Sequence, residues 1–131
     1  MDFGLSTEQQ TLKREAARFC KKELNEEYVR WMDENLDFPP DELWKKFIDL
    51  GVFRMNIPKE YDGDEIGVVD SMLLFEEICK ASASVALALG VTIGFGTRFV
   101  AELGTKAQKD ELLPQIGDGK LKFAMALTEP G

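Results

Sequence analysis

Hydrophobic residues recur at helical spacing in the first quarter of the chain. The pattern follows Ser6-Thr7-Glu8-Gln9, where serine and a glutamine three residues later form the pair typical of a helix N-terminus. Apolar side chains then recur three or four residues apart, at Leu12, Ala16, Phe19, Cys20 and Leu24. The spacing predicts a helix with one buried face. A looser helix that continues the first one, followed by a loop, is predicted from Asn25 to Phe38.

A second amphipathic pattern begins after Phe38-Pro39-Pro40-Asp41-Glu42, since proline suits a first helical turn and acidic side chains there favour the helix dipole. Its apolar stripe consists of Leu43, Trp44, Phe47 and Leu50. Gly51 is placed to end this helix in the left-handed conformation. Residues 52–58 are predicted to be extended, and an acidic loop is predicted to follow.

The centre of the chain changes from amphipathic to uniformly apolar. Asp70 is predicted to cap a helix that carries Glu76-Glu77 on its polar side. The stretch from Ala81 to Thr97 has no charged residue, and its small residues surround the whole helix, which predicts burial on all sides. We expect no membrane span, because the stretch is shorter than the roughly 20 apolar residues required. Its glycines would allow close approach by a neighbouring helix or by a ligand.

Thr105 and Gln108 form another capping pair, which predicts a short helix that Pro114 disturbs. The last nine residues, Phe123 to Gly131, start apolar and end in Thr-Glu-Pro-Gly. This order predicts a buried strand that ends in a polar turn. Such a turn favours a ligand site, because backbone N–H groups lose their ladder partners beside a hydroxyl and a carboxylate. Since no later strand follows, we expect the chain to be a fragment.

The amino-acid composition argues against several classes of partner and catalytic site. The chain has 131 residues, of which 44% are hydrophobic, and this is enough for one domain with a core. Its net charge of -8 argues against nucleic acid or an anionic membrane as a partner. The absence of histidine excludes histidine-based catalysis and histidine metal sites.

The two cysteines and the N-terminus indicate the compartment. Cys20 and Cys79 each lie within an apparent helical pattern, so we interpret them as buried structural thiols in a reducing compartment. The first residues show no basic or Arg/Ser-rich targeting segment, so we expect a cytoplasmic protein.

Two acidic patterns offer weak candidate chemistry. Glu76-Glu77 permits a general acid/base interpretation, but no partner group is identifiable, so a solvated helix face is favoured. The segment from Asp62 to Leu73 faintly resembles a calcium loop. However, Ile66 and Leu73 stand where oxygen ligands are required, so no metal site is predicted.

The chain resembles the acyl-CoA dehydrogenase family along its full length. The matching motifs, in family order, are Asp2-Phe3-x-Leu5-x-x-Glu8-Gln9, Phe38-Pro39, Leu50-Gly51, Pro58-x-Glu60-Tyr61-x-Gly63, Glu76-Glu77, Gly104-Thr105-x-x-Gln108-Lys109, Leu113-Pro114, Gly119 and Ala126-Leu127-Thr128-Glu129-Pro130-Gly131. The last motif is the most specific and resembles the family's flavin-binding motif. One departure is Asp62-Gly63-Asp64-Glu65-Ile66-Gly67, where the family usually has Gly-Gly-x-Gly, so we expect an atypical loop.

The resemblance implies an all-α fold, the N-terminal helical domain (an orthogonal or up-down bundle) of a three-domain flavoenzyme. Residues 1–122 would form this domain, and residues 123–131 would begin the truncated middle β-domain with its first strand. The implied reaction is α,β-dehydrogenation of an acyl-CoA thioester. A carboxylate base takes the α proton while the β hydride moves to N5 of FAD, and electrons pass on to an electron-transfer flavoprotein.

The resemblance assigns no catalytic residue to this chain, because the family's base is usually a glutamate of the C-terminal domain. It implies a homo-oligomer, a tetramer, for the full-length parent. The fragment alone is expected to be inactive and to bind no FAD.

The resemblance also implies a set of cofactor-binding residues. Met125 would offer its carbonyl to the pyrimidine edge of the flavin. Leu127 and Thr128 would offer N–H groups, and Thr128 its hydroxyl, near N1 and the C2 oxygen. Pro130 and Gly131 would shape the turn beside the ring. A substrate-binding wall for the acyl chain, based on helical spacing and alignment with the family, would comprise Leu87, Ala88, Val91 and Phe95.

Two alternatives stay open. Within the same fold, an acyl-CoA oxidase or a flavin monooxygenase has an indistinguishable N-terminal domain. From the residues alone, a non-enzymatic acidic helical interaction module is compatible with the missing histidines and unpaired acids. The Thr128 motif and the glycine-rich helix favour the flavoenzyme.

Overall fold

The structure is a computed structural model that describes residues 4–36 and 39–129. All regular secondary structure in these ranges is helical, which confirms the predicted all-α class. The α-helices are α1 (Thr7–Glu23), α2 (Glu26–Asn35), α3 (Asp41–Asp49), α4 (Val68–Ala81), α5 (Ala83–Gly90), α6 (Thr97–Leu103) and α7 (Lys106–Gly117). A π-helical segment, Val91–Gly96, connects α5 to α6, and 3-10 turns occupy Val52–Arg54 and Lys59–Tyr61.

The first of two compact units consists of the described residues of Met1–Leu43 and Ile66–Ala86. Helices α1 and α4 pack together in it, because Gln9 Nε2 donates to Asp70 Oδ1 at 2.9 Å and Lys13 pairs with Glu76 at 2.8 Å. Its buried apolar side chains include Ala16, Cys20, Leu24, Met32, Leu73, Leu74 and Ile78. The apolar stripe predicted for the first helix therefore supplies part of this core.

The second unit consists of the described residues of Trp44–Glu65 and Leu87–Gly131. The buried Trp44 Nε1 donates to the carbonyl of Gly119 at 3.0 Å, and its ring lies 4.7 Å from that of Phe53, centroid to centroid. A buried apolar cluster contains Ile57, Leu113 and Ile116. This cluster joins the turns after α3 to α7.

Helix starts that depend on local hydrogen bonds are confirmed. Ser6 and Thr105 each form a complete capping box with the glutamine three residues later. Gly51 follows α3 with φ of 82°, the left-handed conformation that was predicted. Phe38, predicted to precede α3, and Asp2-Phe3 lie outside the described residues.

Other boundaries differ from the prediction. α2 is a separate helix with its own cap, since the side chain of Asn25 accepts from the N–H of Tyr28 at 2.9 Å. The N-cap of α4 is Gly67, and Asp70 lies in its first turn. Residues 52–58 are not extended, because the 3-10 turn at Val52–Arg54 buries Val52 and Phe53 in the core. The start of α2 depends on a local hydrogen bond, whereas burial in the core decides the turn at Val52–Arg54.

Pro114 does not disturb α7, which continues to Gly117. Proline removes one intrahelical hydrogen bond. Leu113 and Ile116 on either side of it are completely buried, and this packing holds the turn in place.

The acidic loop is organised by Arg54. Its guanidinium pairs with the carboxylate of Asp62, donates to the carbonyl of Asp62 at 2.9 Å, and donates to Asp118 Oδ1 at 3.0 Å. Asp62 adopts a left-handed φ of 60° at a position where the resemblance leads us to expect glycine. Aspartate tolerates this conformation better than most residues, and the hydrogen bonds from Arg54 hold it there.

The helix predicted to be buried on all sides is not. Leu87 is 68% exposed and Phe95 is 48% exposed, because neighbouring elements cover only the opposite face, at Val85, Leu89 and Ile93. By length and composition alone the 21-residue helix Ala83–Leu103 could cross a membrane, because it is longer than the apolar stretch on which the expectation of no span was based. One such helix is weak evidence, since core helices of soluble proteins share these properties.

The strand predicted at residues 123–127 is also absent from the described part of the chain, where residues 120–129 have no regular structure. A strand requires a neighbouring backbone for its ladder. The backbone N–H of Phe123 instead donates to a side-chain hydroxyl, that of Thr92, at 3.0 Å.

Candidate functional site

The π-helical segment Val91–Gly96 is the most irregular part of the long helix in the second unit. The N–H of Thr97 donates to the carbonyl of Thr92, five residues earlier, and Thr97 Oγ1 donates to the same oxygen at 2.9 Å. Asn56 Nδ2 donates to the carbonyl of Ile93 at 3.2 Å. Single π-helical turns often occur at functional sites. Sequence analysis did not predict this segment, although Thr92 is a polar residue in an otherwise apolar run.

Phe123 fixes the C-terminal segment to this helix. Its N–H donates to Thr92 Oγ1 at 3.0 Å, and Thr92 is 1% exposed. Its ring lies against Gly96, where an added Cβ would overlap it. The ring also packs on the buried cluster around Ile57 and Ile116. The glycine therefore allows close approach by an aromatic side chain of the same chain.

The predicted cofactor-binding residues begin two positions after Phe123. Met125 is 48% exposed, Leu127 is 77% exposed, and Thr128 is also exposed. Within the described residues, no hydrogen bond engages the backbone N–H groups of Leu127 and Thr128. These donors and the Thr128 hydroxyl face solvent. Pro130 and Gly131, also predicted to bind the cofactor, lie outside the described residues.

The four residues predicted to form the acyl wall share one face of the helix. Leu87 and Phe95 are exposed, and Ala88 and Val91 are half-buried. Sequence analysis missed Phe99, which is 58% exposed and whose ring lies 6.4 Å from that of Phe95. The signal was present, because Phe99 continues the four-residue spacing. The face is apolar and open.

Both glutamates of the acidic pair on α4, Glu76 and Glu77, form salt bridges. Glu76 pairs with Lys13 at 2.8 Å and with Lys80 at 2.9 Å, and the hydrogen bonds from these two lysines lower the pKa of Glu76. Glu77 is buried, not solvated as predicted, and pairs with Lys80 at 2.7 Å. Helix α1 supplies Lys13 opposite the pair. A carboxylate with a lowered pKa is a weak proton acceptor, which argues against a role as a general base. The pair instead forms salt bridges that join α1 to α4.

The two cysteines occupy different environments. Cys20 is buried on α1, and burial, with a smaller effect of the Glu77 carboxylate, raises the pKa of its thiol to about 11. Cys79 is exposed on α4, which corrects the prediction that both thiols are buried. Helical spacing alone did not show that Cys79 is exposed, because the packing of α1 determines which side of α4 is buried.

A groove of about 590 Å³ in the first unit is lined by residues of α2 and by Ser82, Ala83 and Ser84. It contains none of the predicted site residues. Among residues 4–36 and 39–129, no group of three or more histidine, cysteine, aspartate or glutamate side chains could hold a metal ion.

Known proteins resemble the chain over nearly its whole length. Mitochondrial isovaleryl-CoA dehydrogenase of Pongo abelii is 32% identical over 128 residues, which cover 97% of this chain and 30% of that protein. The solved structure of butyryl-CoA dehydrogenase from Megasphaera elsdenii is 31% identical with a TM-score of 0.85, covering 99% of this chain and 34% of that one. A solved FAD complex of PigA is 26% identical with a TM-score of 0.79, covering 93% and 32%.

The chain thus spans about a third of the length of these relatives. Residues 6–120 match the protein family described as "Acyl-CoA dehydrogenase, N-terminal domain". This match includes α1 to α7 and the open apolar helix face. The chain therefore belongs to the acyl-CoA dehydrogenase family and corresponds to its N-terminal domain.

Proposed function

We propose that the chain acts as the N-terminal part of an FAD-dependent acyl-CoA dehydrogenase. In this role it supplies one wall of the acyl pocket and part of the flavin site. The observation that carries the proposal is the open apolar face at Leu87, Val91 and Phe95, on the helix that also holds Phe123. The similar proteins that are named as acyl-CoA dehydrogenases, such as those for isovaleryl-CoA and butyryl-CoA, support this reaction class.

The helix face suits an acyl chain because it is apolar and carries no charge between Ala81 and Thr97. Each methylene buried against it contributes about 0.8 kcal/mol to binding. The side chains of Ala88 and Val91 are small, so they leave room for a chain, while Phe95 and Phe99 offer broad apolar surfaces. The wall therefore selects by length and bulk.

The residues after Phe123 fit a flavin. The exposed N–H groups of Leu127 and Thr128 and the Thr128 hydroxyl are donors, and the N1 and C2-oxygen edge of a flavin accepts hydrogen bonds. The carbonyl of Met125 can accept from the pyrimidine N–H. A bound FAD would supply an acceptor for the hydride of the substrate's β-carbon, while the α proton would go to a carboxylate base.

No residue of this chain is assigned as that base. We propose that the base and the remaining flavin contacts come from the rest of the full-length protein, which forms a homotetramer. An electron-transfer flavoprotein would reoxidise the cofactor. We propose a cytoplasmic location, supported by two unpaired cysteines.

The test uses the full-length protein encoded by the reading frame that contains this chain. We expect a yellow protein with one FAD per subunit, whose flavin absorbance is bleached anaerobically by a saturated acyl-CoA. The corresponding enoyl-CoA should form in equal amount. A purified protein that binds FAD but is not bleached by any acyl-CoA of a series from short to long would contradict the dehydrogenase assignment. Rapid reoxidation by oxygen would instead indicate an oxidase.

A further inference from the structure

We propose that Thr92 is a positioning residue that couples the acyl wall to the cofactor-binding segment. The inference rests on the proposed function. Thr92 lies next to Val91 in the wall, and its side chain holds the backbone two residues before Met125. One residue therefore sets the position of both halves of the site.

The hydroxyl of Thr92 makes an unusual contact for a helical threonine. Threonine in a helix commonly donates to a carbonyl three or four residues earlier. Here Thr92 Oγ1 instead accepts the N–H of Phe123, 31 residues later in the chain, at 3.0 Å. The side chain is almost completely buried. Water therefore cannot easily replace this hydroxyl if it is removed.

The π-helical hydrogen bonds make room for this contact. In an α-helix the N–H of Thr97 would donate to the carbonyl of Ile93. In this segment it donates to the carbonyl of Thr92, which leaves the Ile93 carbonyl to accept from Asn56 Nδ2 at 3.2 Å. Contacts from Thr97 and Asn56 therefore stabilise the shifted register, in the same turn whose Thr92 hydroxyl accepts from Phe123.

The shifted register also orients the wall. Leu87, Val91, Phe95 and Phe99 are spaced by four residues. An α-helix has about 3.6 residues per turn, so this spacing drifts around it, whereas a π-helical turn takes more residues and reduces the drift. A return to α-helical register would rotate Phe95 away from Val91. It would also move Thr92, whose hydroxyl holds Phe123.

The first experiment measures amide hydrogen exchange of this chain in Thr92→Val, Thr92→Ser and Ser82→Ala. Loss of the hydroxyl in Thr92→Val should speed exchange at the Phe123 amide by about tenfold or more, since a buried hydrogen bond is worth roughly that factor. Thr92→Ser keeps the hydroxyl and should restore protection. Ser82→Ala removes another buried hydroxyl that accepts a backbone N–H, that of Val85, and should leave the Phe123 amide protected.

The second experiment uses the full-length protein with the same variants. Thr92→Val should weaken FAD binding by about tenfold if the same contact orders the cofactor segment, and it should shift the visible absorption bands of the bound flavin. Thr92→Ser should be close to wild type in both. If Thr92→Val does not fold, Gly96→Ala displaces the Phe123 ring with Thr92 intact. Gly94→Ala, whose added Cβ meets no atom within 4 Å, is its control.

The outcomes separate this inference from the function it rests on. Unchanged exchange at Phe123 in Thr92→Val and Gly96→Ala would overturn the anchor itself. Faster exchange with unchanged FAD affinity and an unchanged flavin spectrum would overturn the positioning role. A wild-type protein that binds no FAD would overturn the proposed function, while the exchange result would still report on the anchor.

Discussion

Thr128 is the single side chain with the most direct proposed effect on the flavin. Two-electron reduction places negative charge at N1 and the C2 oxygen, so a donor aimed there stabilises the reduced form more. Thr128→Val keeps the shape and the backbone N–H but removes the hydroxyl. If about half of a charged hydrogen bond of about 2 kcal/mol is differential, the midpoint potential of the full-length protein should fall by about 20 mV.

Spectroelectrochemistry measures this potential. Thr11→Val is a matched control, because Thr11 is an exposed threonine that donates to the carbonyl of Thr7 in α1. It should leave the potential unchanged. A wild-type potential in Thr128→Val, together with a lower melting temperature, would mean that Thr128 only stabilises its turn.

Cys20 makes the stability of the chain depend on alkaline pH. Its thiol has a raised pKa of about 11 in the folded state, so the unfolded chain loses this proton first as pH rises. The folded state then holds more protons than the unfolded state, and the free energy of unfolding must fall with pH. The fall should approach about 1.4 kcal/mol per pH unit between about pH 9 and pH 11.

Denaturant titrations across this pH range test the effect. Cys20→Ala should flatten the pH dependence, whatever it does to absolute stability at neutral pH. Cys79→Ala, which removes the exposed thiol, should keep the wild-type slope. The same slope in wild type and Cys20→Ala would show that other groups cause the loss.

At the scale of one element, the open face of the long helix should control substrate length. Ala88→Phe and Val91→Phe place a ring on the proposed acyl wall and exclude terminal methylenes, each worth about 0.8 kcal/mol of burial. We expect kcat/KM of the full-length protein to fall about fourfold per excluded methylene for long acyl-CoAs, and to change little for short ones.

Val69→Phe is the control for this series, because Val69 is an exposed valine on α4 in the first unit. It should leave the chain-length profile unchanged. If Ala88→Phe and Val91→Phe also leave that profile unchanged, the helix does not line the pocket.

Two glycines of the π-helical segment should respond oppositely to alanine. A Cβ at Gly94 meets no atom within 4 Å, so Gly94→Ala should raise the free energy of unfolding by up to about 1 kcal/mol through lower backbone entropy. A Cβ at Gly96 overlaps the Phe123 ring, so Gly96→Ala should lower it by about 1–3 kcal/mol. Urea titration of both variants gives the comparison. Equal stabilities would contradict the close packing of Phe123.

For the whole molecule, the 131-residue chain by itself should be colourless. Met125, Leu127 and Thr128 offer donors and an acceptor on one exposed segment, and a cofactor as large as FAD needs contacts that surround it. Isothermal titration of FAD into the purified chain should show no binding at micromolar concentration. Stoichiometric micromolar binding would mean that the 131-residue chain alone holds a complete cofactor site.

Much of this fold could be predicted from the sequence, because it depends on contacts between residues that are close together in the chain. The capping boxes at Ser6 and Thr105 and the left-handed Gly51 depend on contacts within three or four residues, so their sequence specified them. The Leu-Thr-Glu-Pro-Gly motif likewise indicated the family that the match over residues 6–120 shows. The helical class followed from periodicity, whereas the four apolar positions of the proposed wall were assigned from helical spacing together with the resemblance to the family.

Contacts between distant residues decided the rest. Whether Leu87 is exposed depends on which neighbour covers the helix, and composition showed only that the helix is apolar. The π-helical segment is held by Asn56, which bonds to the Ile93 carbonyl, and by Phe123, which bonds to the Thr92 hydroxyl, and each lies more than 30 residues away from its partner in the chain. Phe123 reads as a strand residue because its neighbours are apolar, but its N–H bonds to Thr92 instead. A sequence pattern reports what a segment can bury, and the tertiary structure determines which partner buries it.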